Sequence, residues 1–158
     1  MPPEDSENGA ANDPSTLRAR AEARGKDEGV PFGGLLLPAE AWALFKAGEI
    51  ALVDTRTLAE RDLIGYVPGS VAIEWYDYPA KRRNERFLEQ LREKIEPGRA
   101  VAFLCRSGVR SKQAATLAAQ NGYDAAFNIV EGFEGDKNAQ GQRVVNGWRV
   151  AGLPWRQD

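Results

Sequence analysis

The residues best suited to chemistry lie in one short segment around the single cysteine, Cys105. An apolar run at 100–104 precedes it, and the residues that follow it are Arg106, Ser107, Gly108, Val109, Arg110 and Ser111. A thiolate is a strong nucleophile, whereas a free thiol is mostly protonated at neutral pH. The backbone amides of a tight turn at a helix N-terminus, together with two arginines, would stabilise a thiolate and bind an oxyanion. The segment therefore predicts nucleophilic catalysis by Cys105.

The composition excludes several other chemistries. The 158 residues include no histidine, which rules out every mechanism that needs a side-chain imidazole. One cysteine allows neither an intrachain disulfide nor a zinc site made of cysteine and histidine. Any metal would need oxygen ligands, and we expect neither a metal nor a cofactor.

The charge balance argues against two classes of partner. Lys and Arg total 21 and Asp and Glu total 23, so the net charge is −2. Such a chain has no basic field that would gather nucleic acid or an anionic membrane surface. The N-terminus is acidic and has no apolar signal core, and no apolar run approaches the ~18 residues of a membrane span. We therefore expect a cytoplasmic protein.

The composition changes near residue 30 and suggests three regions. Residues 1–13 are predicted to be a disordered acidic tail, 14–31 a helix and linker, and 32–158 a single folded domain. Asp13 and Pro14 are typical of an N-cap and a first helical residue, and Gly25 could end that helix. With only Leu17 and scattered alanines to bury, the helix is expected to be solvated or loosely docked.

Helical and strand patterns alternate from residue 32 onward. Helices are predicted at 38–47, after a capping box formed by Thr57 and Glu60, after Asn84, and at 111–121; strands are predicted at 50–53, 100–104 and 126–130, with another apolar run at 71–73. This order predicts an α/β domain with a mainly parallel central sheet and helices on both faces. Ligands bind at the carboxyl ends of strands in such sheets, where Cys105 is predicted to lie.

Other charged residues are given supporting roles. Asp54 ends its strand at the same predicted sheet edge as Cys105, where it would pair with an arginine such as Arg56 and help to orient the active loop. Arg56 and Glu60, four residues apart, could form an exposed ion pair. The basic run at 81–83 is expected to be a solvated face.

Three motifs together resemble the rhodanese-like sulfurtransferase family. CRSGVRS at 105–111 resembles the family's active-site loop, and LVDTR at 52–56, Glu60 and GYVPGS at 65–70 resemble its N-terminal signature. EGF at 131–133 and the segment 147–155 resemble its C-terminal pieces. The likeness covers about residues 33–156, and the rhodanese-like fold is what it implies.

The sequence departs from the family pattern in two places. Tyr66 stands where the family usually has a histidine, a generally structural position. The stretch 135–146 is longer than usual and could be a lid or a loop excursion near the site. Trp75 and Phe133 resemble positions that wall the family's pocket, although aromatic residues more often belong to the core.

The resemblance implies a thiosulfate sulfurtransferase. Cys105 would take the outer sulfur of a donor such as thiosulfate as a persulfide, with the loop from Arg106 to Arg110 binding the substrate and Ser111 in support. Cyanide, a thiol or a protein would then accept the sulfur. With no second cysteine, the persulfide cannot be resolved within the chain, so the acceptor must come from outside.

Two alternatives remain open at this stage. The domain could be a non-catalytic binding or regulatory module, because a fold does not fix a function. It could also be a cysteine phosphatase or an arsenate reductase. Those phosphatases have five residues between cysteine and arginine, whereas this loop has four, and there is no second cysteine to reduce an arsenate adduct.

Overall fold

The apolar runs of the sequence form one parallel sheet, and the segments between them form helices on both of its faces. The computed structural model describes residues 13–158, so the predicted disorder of 1–13 falls outside the described residues except at Asp13. In chain order the elements are α1 Pro14–Glu28, β1 Gly34–Leu36, α2 Pro38–Lys46, β2 Ala51–Asp54, α3 Leu58–Ile64, β3 Val71–Ala72, α4 Phe87–Lys94, β4 Val101–Leu104, α5 Val109–Gln120 and β5 Ala126–Ile129.

The sheet has the strand order β1-β5-β4-β2-β3, and every pair of neighbours is parallel. β4 is therefore the central strand. Its register sets Asp54 of β2 beside Leu104, the residue before Cys105. The predicted parallel α/β architecture is confirmed. A strand that helices cover on both faces is apolar throughout, and all four residues of β4 are apolar and buried.

Alternate residues of each strand supply two separate cores. One face of the sheet packs against α1 and α2 through Leu36, Leu52, Leu104, Phe127 and Ile129. The other face packs against α4 and α5 through Leu35, Val53, Phe103 and Ala126. The small residues of α5, Ala114, Ala115 and Ala118, let this helix approach the sheet closely and so fix the position of its N-terminus beside Cys105.

The predictions for α1 were wrong in two respects. The helix continues through Gly25 to Glu28 and is capped by Gly29, whose φ of 68° is the left-handed conformation that closes a helix. Gly25 is instead a contact point: a Cβ there would lie 2.9 Å from the Cα of Gly34. The helix is also firmly docked, with Leu17 and Ala21 buried, because two glycines allow the backbones of α1 and β1 to meet.

An ion pair adds to this docking. Arg24 of α1 donates two hydrogen bonds to Glu40 of α2, both of 2.7 Å, and a third to the carbonyl oxygen of Leu35 at 2.8 Å.

Within residues 13–158, no helix has both the length and the apolar character that crossing a membrane requires.

We expect Gly34→Ala to destabilise the domain by roughly 1–3 kcal/mol, because the new methyl group would overlap the carbonyl group of Ala21 on α1. Urea unfolding would measure the loss. Gly98→Ala is the matched control, since a Cβ at Gly98 meets nothing within 4 Å. Equal stability of the two variants would show that α1 does not pack closely on β1.

Candidate active site

Cys105 lies at the carboxyl end of the central strand with its side chain 1% exposed. Its Sγ accepts a hydrogen bond of 3.1 Å from the backbone N–H of Gly108 and lies 3.2 Å from the hydroxyl oxygen of Ser111. The turn between strand and helix is tight enough to bend the chain back onto the sulfur. Gly108 makes this turn in a left-handed conformation, with φ of 106°.

Helix α5 begins at Val109, two residues earlier than predicted, with Gly108 as its N-cap. Arg110 therefore belongs to the first helical turn rather than to the loop, one residue before Ser111. The first-turn amides of a helix have no intrahelical acceptor, and together they give the N-terminus a partial positive charge. The helix directs these groups toward the end of β4, as the sequence predicted. Ser107 is half-buried, and Val109 is largely exposed.

The turn after β5 holds the cysteine loop through the backbone. The N–H of Phe133 donates to the carbonyl oxygen of Cys105 at 2.8 Å, and the N–H of Glu134 donates to that of Arg106 at 2.9 Å. A Cβ at Gly132 would lie 2.6 Å from the carbonyl oxygens of both Cys105 and Arg106. The glycine of the EGF motif is thus required for close backbone approach.

Arg110 is paired with Glu60, which corrects the predicted partner of that carboxylate. The guanidinium donates to the two Glu60 oxygens at 2.6 and 2.9 Å. Glu60 also completes the predicted capping box with Thr57. The exposed Arg56–Glu60 pair is not formed, because Arg56 turns into the core and bonds Asp54 instead.

The Glu60–Arg110 pair shifts both titrations. Burial acts to raise the pKa of Glu60, but the hydrogen bonds and charge of Arg110 outweigh it and hold the pKa below its ordinary value. Burial acts to lower the pKa of Arg110, and the carboxylate of Glu60 outweighs it, so this pKa lies above its ordinary value. The positive charge of Arg110 is thus largely balanced by Glu60 beside the cysteine loop.

Asp54 binds two arginines. It accepts hydrogen bonds from Arg56 Nη2 and from Arg61 Nη1, both at 2.9 Å, which confirms the predicted pairing with Arg56. The guanidinium of Arg56 is wholly buried and lies 4.2 Å from the ring centre of Phe133. Contact with the cysteine-bearing strand comes from the next residue: the hydroxyl of Thr55 donates to the carbonyl oxygen of Leu104 at 2.9 Å.

Tyr66, at the usual histidine position, fastens the C-terminal segment. Its backbone exchanges two hydrogen bonds of 2.8 Å with Arg156, and its hydroxyl donates to Asp158 at 3.2 Å. Trp148 is fully buried and donates from Nε1 to the carbonyl oxygen of Pro154 at 2.8 Å. The segment 147–155 therefore packs the C-terminus onto the domain.

A cavity of about 250 Å³ lies beside the cysteine loop. The charged side chains of its wall are Glu60, Lys81, Arg106, Arg110, Glu134 and Arg143. Glu60 is paired with Arg110, and Glu134 lies 3.9 Å from Arg149. Within the described part of the chain, Lys81, Arg106 and Arg143 form no ion pair, so the cavity has an excess of positive charge.

Two of these cations were missed from the sequence. Lys81 was expected only on a solvated basic run, and Arg143 belongs to the long stretch 135–146. The sequence around neither residue indicates that its side chain points into a cavity. Trp75 and Phe133 do not line this cavity: Trp75 packs on Phe87 at 5.1 Å between ring centres, and Phe133 is fully buried.

Asn128 of β5 was also missed. It is 3% exposed, accepts a hydrogen bond of 2.6 Å from the Ser111 hydroxyl, and donates one of 3.2 Å to the carbonyl oxygen of Gly108. The available signal was a single amide inside an otherwise apolar strand. A buried polar side chain at such a place needs partners, and the cysteine loop supplies them.

Comparisons with known proteins agree with this geometry. The rhodanese-like domain family matches residues 37–139 of the chain. The crystal structure of Rv0390 from M. tuberculosis is 39% identical and superposes with a TM-score of 0.73, covering 80% of this chain and 99% of that one. The resemblance drawn from the three motifs is thereby confirmed, together with the predicted fold.

Further matches do not add an activity to this family assignment. A polysulfide-sulfur transferase homodimer from Wolinella succinogenes is 17% identical, with a TM-score of 0.56, and the match covers 91% of this chain and 89% of that one. An uncharacterized protein of Rickettsia prowazekii is 41% identical over 76 residues, which are 48% of this chain and 55% of that protein. One from Rickettsia conorii is 32% identical over 108 residues, 66% of this chain and 81% of that protein.

We expect Glu60→Gln to cost roughly 1–3 kcal/mol of stability at pH 7, because it leaves the buried Arg110 without its carboxylate. The Glu60 pKa is depressed by folding, so its contribution is fully present above 4.5 and is lost as the pH falls through the lower folded value. The stability difference between wild type and variant should therefore shrink on acidification.

Urea unfolding at several pH values would measure this difference. Glu89→Gln is the control, since Glu89 forms an exposed pair with Arg86 and its removal should change stability little at any pH. A Glu60→Gln deficit that stays constant down to pH 3 would contradict the assignment.

Proposed function

This chain belongs to the rhodanese-like domain family, and from that premise we propose that it is a sulfurtransferase that carries sulfane sulfur as a persulfide on Cys105. The donor is thiosulfate or a similar small anion, and the acceptor is cyanide, a thiol or a protein. The observation that carries the proposal is the sulfur of Cys105 itself, buried at the end of β4 and faced by the Gly108 N–H at 3.1 Å.

The first half-reaction loads the cysteine. The Cys105 thiolate attacks the outer sulfur of thiosulfate, and a bond forms between Sγ and that sulfur. The S–S bond of thiosulfate breaks, and its electron pair leaves on sulfite. The negative charge of the thiolate passes to the outer sulfur of the new persulfide, so no oxidant or reductant is consumed.

The residues around the loop supply the electrostatic part of this step. The amide of Gly108 is a fixed donor for the charged sulfur at the positive end of α5, and preorganised donors of this kind cost no reorganisation during reaction. Lys81, Arg106 and Arg143 give the cavity the charge that suits a dianionic donor. Arg110 acts mainly as a support, since Glu60 balances it.

The second half-reaction unloads the cysteine. An external nucleophile attacks the outer sulfur, and the Cys105 thiolate is the leaving group. The chain has no second cysteine that could act as the attacking nucleophile. The acceptor must therefore come from outside, and the cavity of about 250 Å³ beside Arg106 and Arg110 is the route we propose for a small molecule or a protruding thiol group of a protein.

The alternative is a non-catalytic module of the same fold. The feature that favours it is the burial of the thiol, since a cysteine that is 1% exposed could serve packing alone. The two functions differ in one observable: only the enzyme gains and loses a sulfur atom at Cys105.

We expect wild-type protein to gain one sulfur atom on treatment with thiosulfate and to lose it on addition of cyanide. Intact-protein mass spectrometry would detect the change. Cys105→Ser should gain nothing and should unfold like wild type, because the substitution changes one atom of a buried side chain. A sulfur atom retained by Cys105→Ser, or no gain in wild type with any sulfane donor, would contradict the proposal.

We expect Arg143→Ala and Lys81→Ala each to raise the KM for thiosulfate by roughly twofold to fivefold, because each removes one partly exposed cation from the cavity. The kcat should change less, and added salt should weaken the difference. Arg20→Ala, on the exposed side of α1, is the control. Unchanged KM values in both cavity variants would show that the donor does not depend on these cations.

A further inference from the structure

We propose that Asn128 is a positioning residue that competes with Cys105 for the single proton of the Ser111 hydroxyl and thereby limits the reactivity of the resting thiol. The inference rests on the proposed function only in taking Cys105 as the reactive sulfur. It assigns a role to a side chain on β5 that does not touch the sulfur and acts through Ser111.

The orientation of the Asn128 amide is fixed by its two partners. Nδ2 donates to the carbonyl oxygen of Gly108 at 3.2 Å, and Oδ1 accepts from the Ser111 hydroxyl at 2.6 Å. The opposite orientation would set two oxygens, Oδ1 and the Gly108 carbonyl, against each other. Oδ1 must therefore face Ser111, and it has no hydrogen to offer.

The Ser111 hydroxyl has one proton, and Asn128 holds it. Toward Cys105, which is 3.2 Å away, the hydroxyl can then only accept. The arrangement is complete for a thiol: the thiol donates to Ser111, Ser111 donates to Asn128, and the sulfur accepts from the Gly108 N–H. Every polar atom of this buried chain has a partner.

Ionisation of Cys105 breaks that arrangement. The thiolate has no proton to donate, so the lone pairs of the Ser111 oxygen face a negative sulfur. The hydroxyl can turn and donate to the sulfur instead. Asn128 Oδ1 then loses its donor, and an unsatisfied buried carbonyl is costly. Asn128 thus favours the thiol over the thiolate.

The charged side chains near the sulfur do not override the effect of Asn128, because they are paired with opposite charges or exposed to solvent. On α5, Arg110 is bound by Glu60 of α3. At the end of β2, Asp54 is bound by Arg56 and Arg61. Arg106 is exposed, at the wall of the cavity. Among the described residues, the polar contacts of Sγ itself are the Gly108 amide and the Ser111 hydroxyl.

Alkylation of Cys105 by iodoacetamide tests the competition, because the chain has only one thiol. Asn128→Leu keeps the approximate volume and removes the acceptor, so Ser111 becomes free to donate to the thiolate. The alkylation rate at neutral pH should rise roughly threefold to tenfold, the range set by one hydrogen bond.

A double-mutant cycle separates this effect from a loosened loop. In a Ser111→Ala background, Asn128→Leu should change the rate little, because there is no hydroxyl to release. Equal acceleration in both backgrounds would mean that Asn128 only braces Gly108, and this would overturn the inference. Asn121→Leu, at the other end of α5, is the matched control and should leave the rate unchanged.

The infrared S–H stretch gives a test that does not depend on the folding of an Asn128 variant. The single thiol gives one band, and donation to Ser111 should place it at lower frequency in wild type than in Ser111→Ala. Identical band positions would overturn the inference. Neither alkylation nor this band requires sulfur transfer, so failure of sulfur loading would count against the proposed function alone.

Discussion

A sulfur atom that becomes charged inside a protein needs polar groups to replace water, and this requirement shapes the end of β4. Helices cover both faces of the central strand, so the Cys105 sulfur is shielded from solvent. The main-chain donor that replaces water at the sulfur is the Gly108 amide, at the N-cap of α5. It can reach the sulfur only if helix follows strand within a few residues, which the left-handed Gly108 makes possible.

A turn this tight is held from two directions, and each support comes from a distant part of the sequence. The chain after β5 approaches through Gly132 and fixes the carbonyl groups of Cys105 and Arg106. From the other side, Glu60 of α3 fixes Arg110 of α5. The parallel sheet makes both supports possible, because it brings the ends of β2, β4 and β5 to one edge.

The sequence predicts this site unevenly, for physical reasons. Strands and helices follow from apolar periodicity, and Cys105 at the end of a buried strand follows from them. Partner choice follows only in part: Arg56 was given both Asp54 and Glu60 as partners, and it binds only the buried Asp54, while Glu60 binds Arg110. The docking of α1 depends on close glycine contact, which propensity does not encode. Arg143 reaches the cavity through a stretch whose path has no periodic signal.

Burial of Sγ and rapid sulfur exchange are compatible under the proposed function, because the exchanged atom is not Sγ. A persulfide places its outer sulfur about 2.05 Å beyond Sγ, where an acceptor can meet it without exposing Cys105. Under the same proposal, the thiolate acts as a nucleophile only during loading, and during unloading it is the leaving group. A polar chain from Cys105 through Ser111 to Asn128 that favours the thiol costs some loading rate. In return, the polar chain makes the sulfur-free Cys105 less nucleophilic toward oxidants and other electrophiles, which react with the thiolate form.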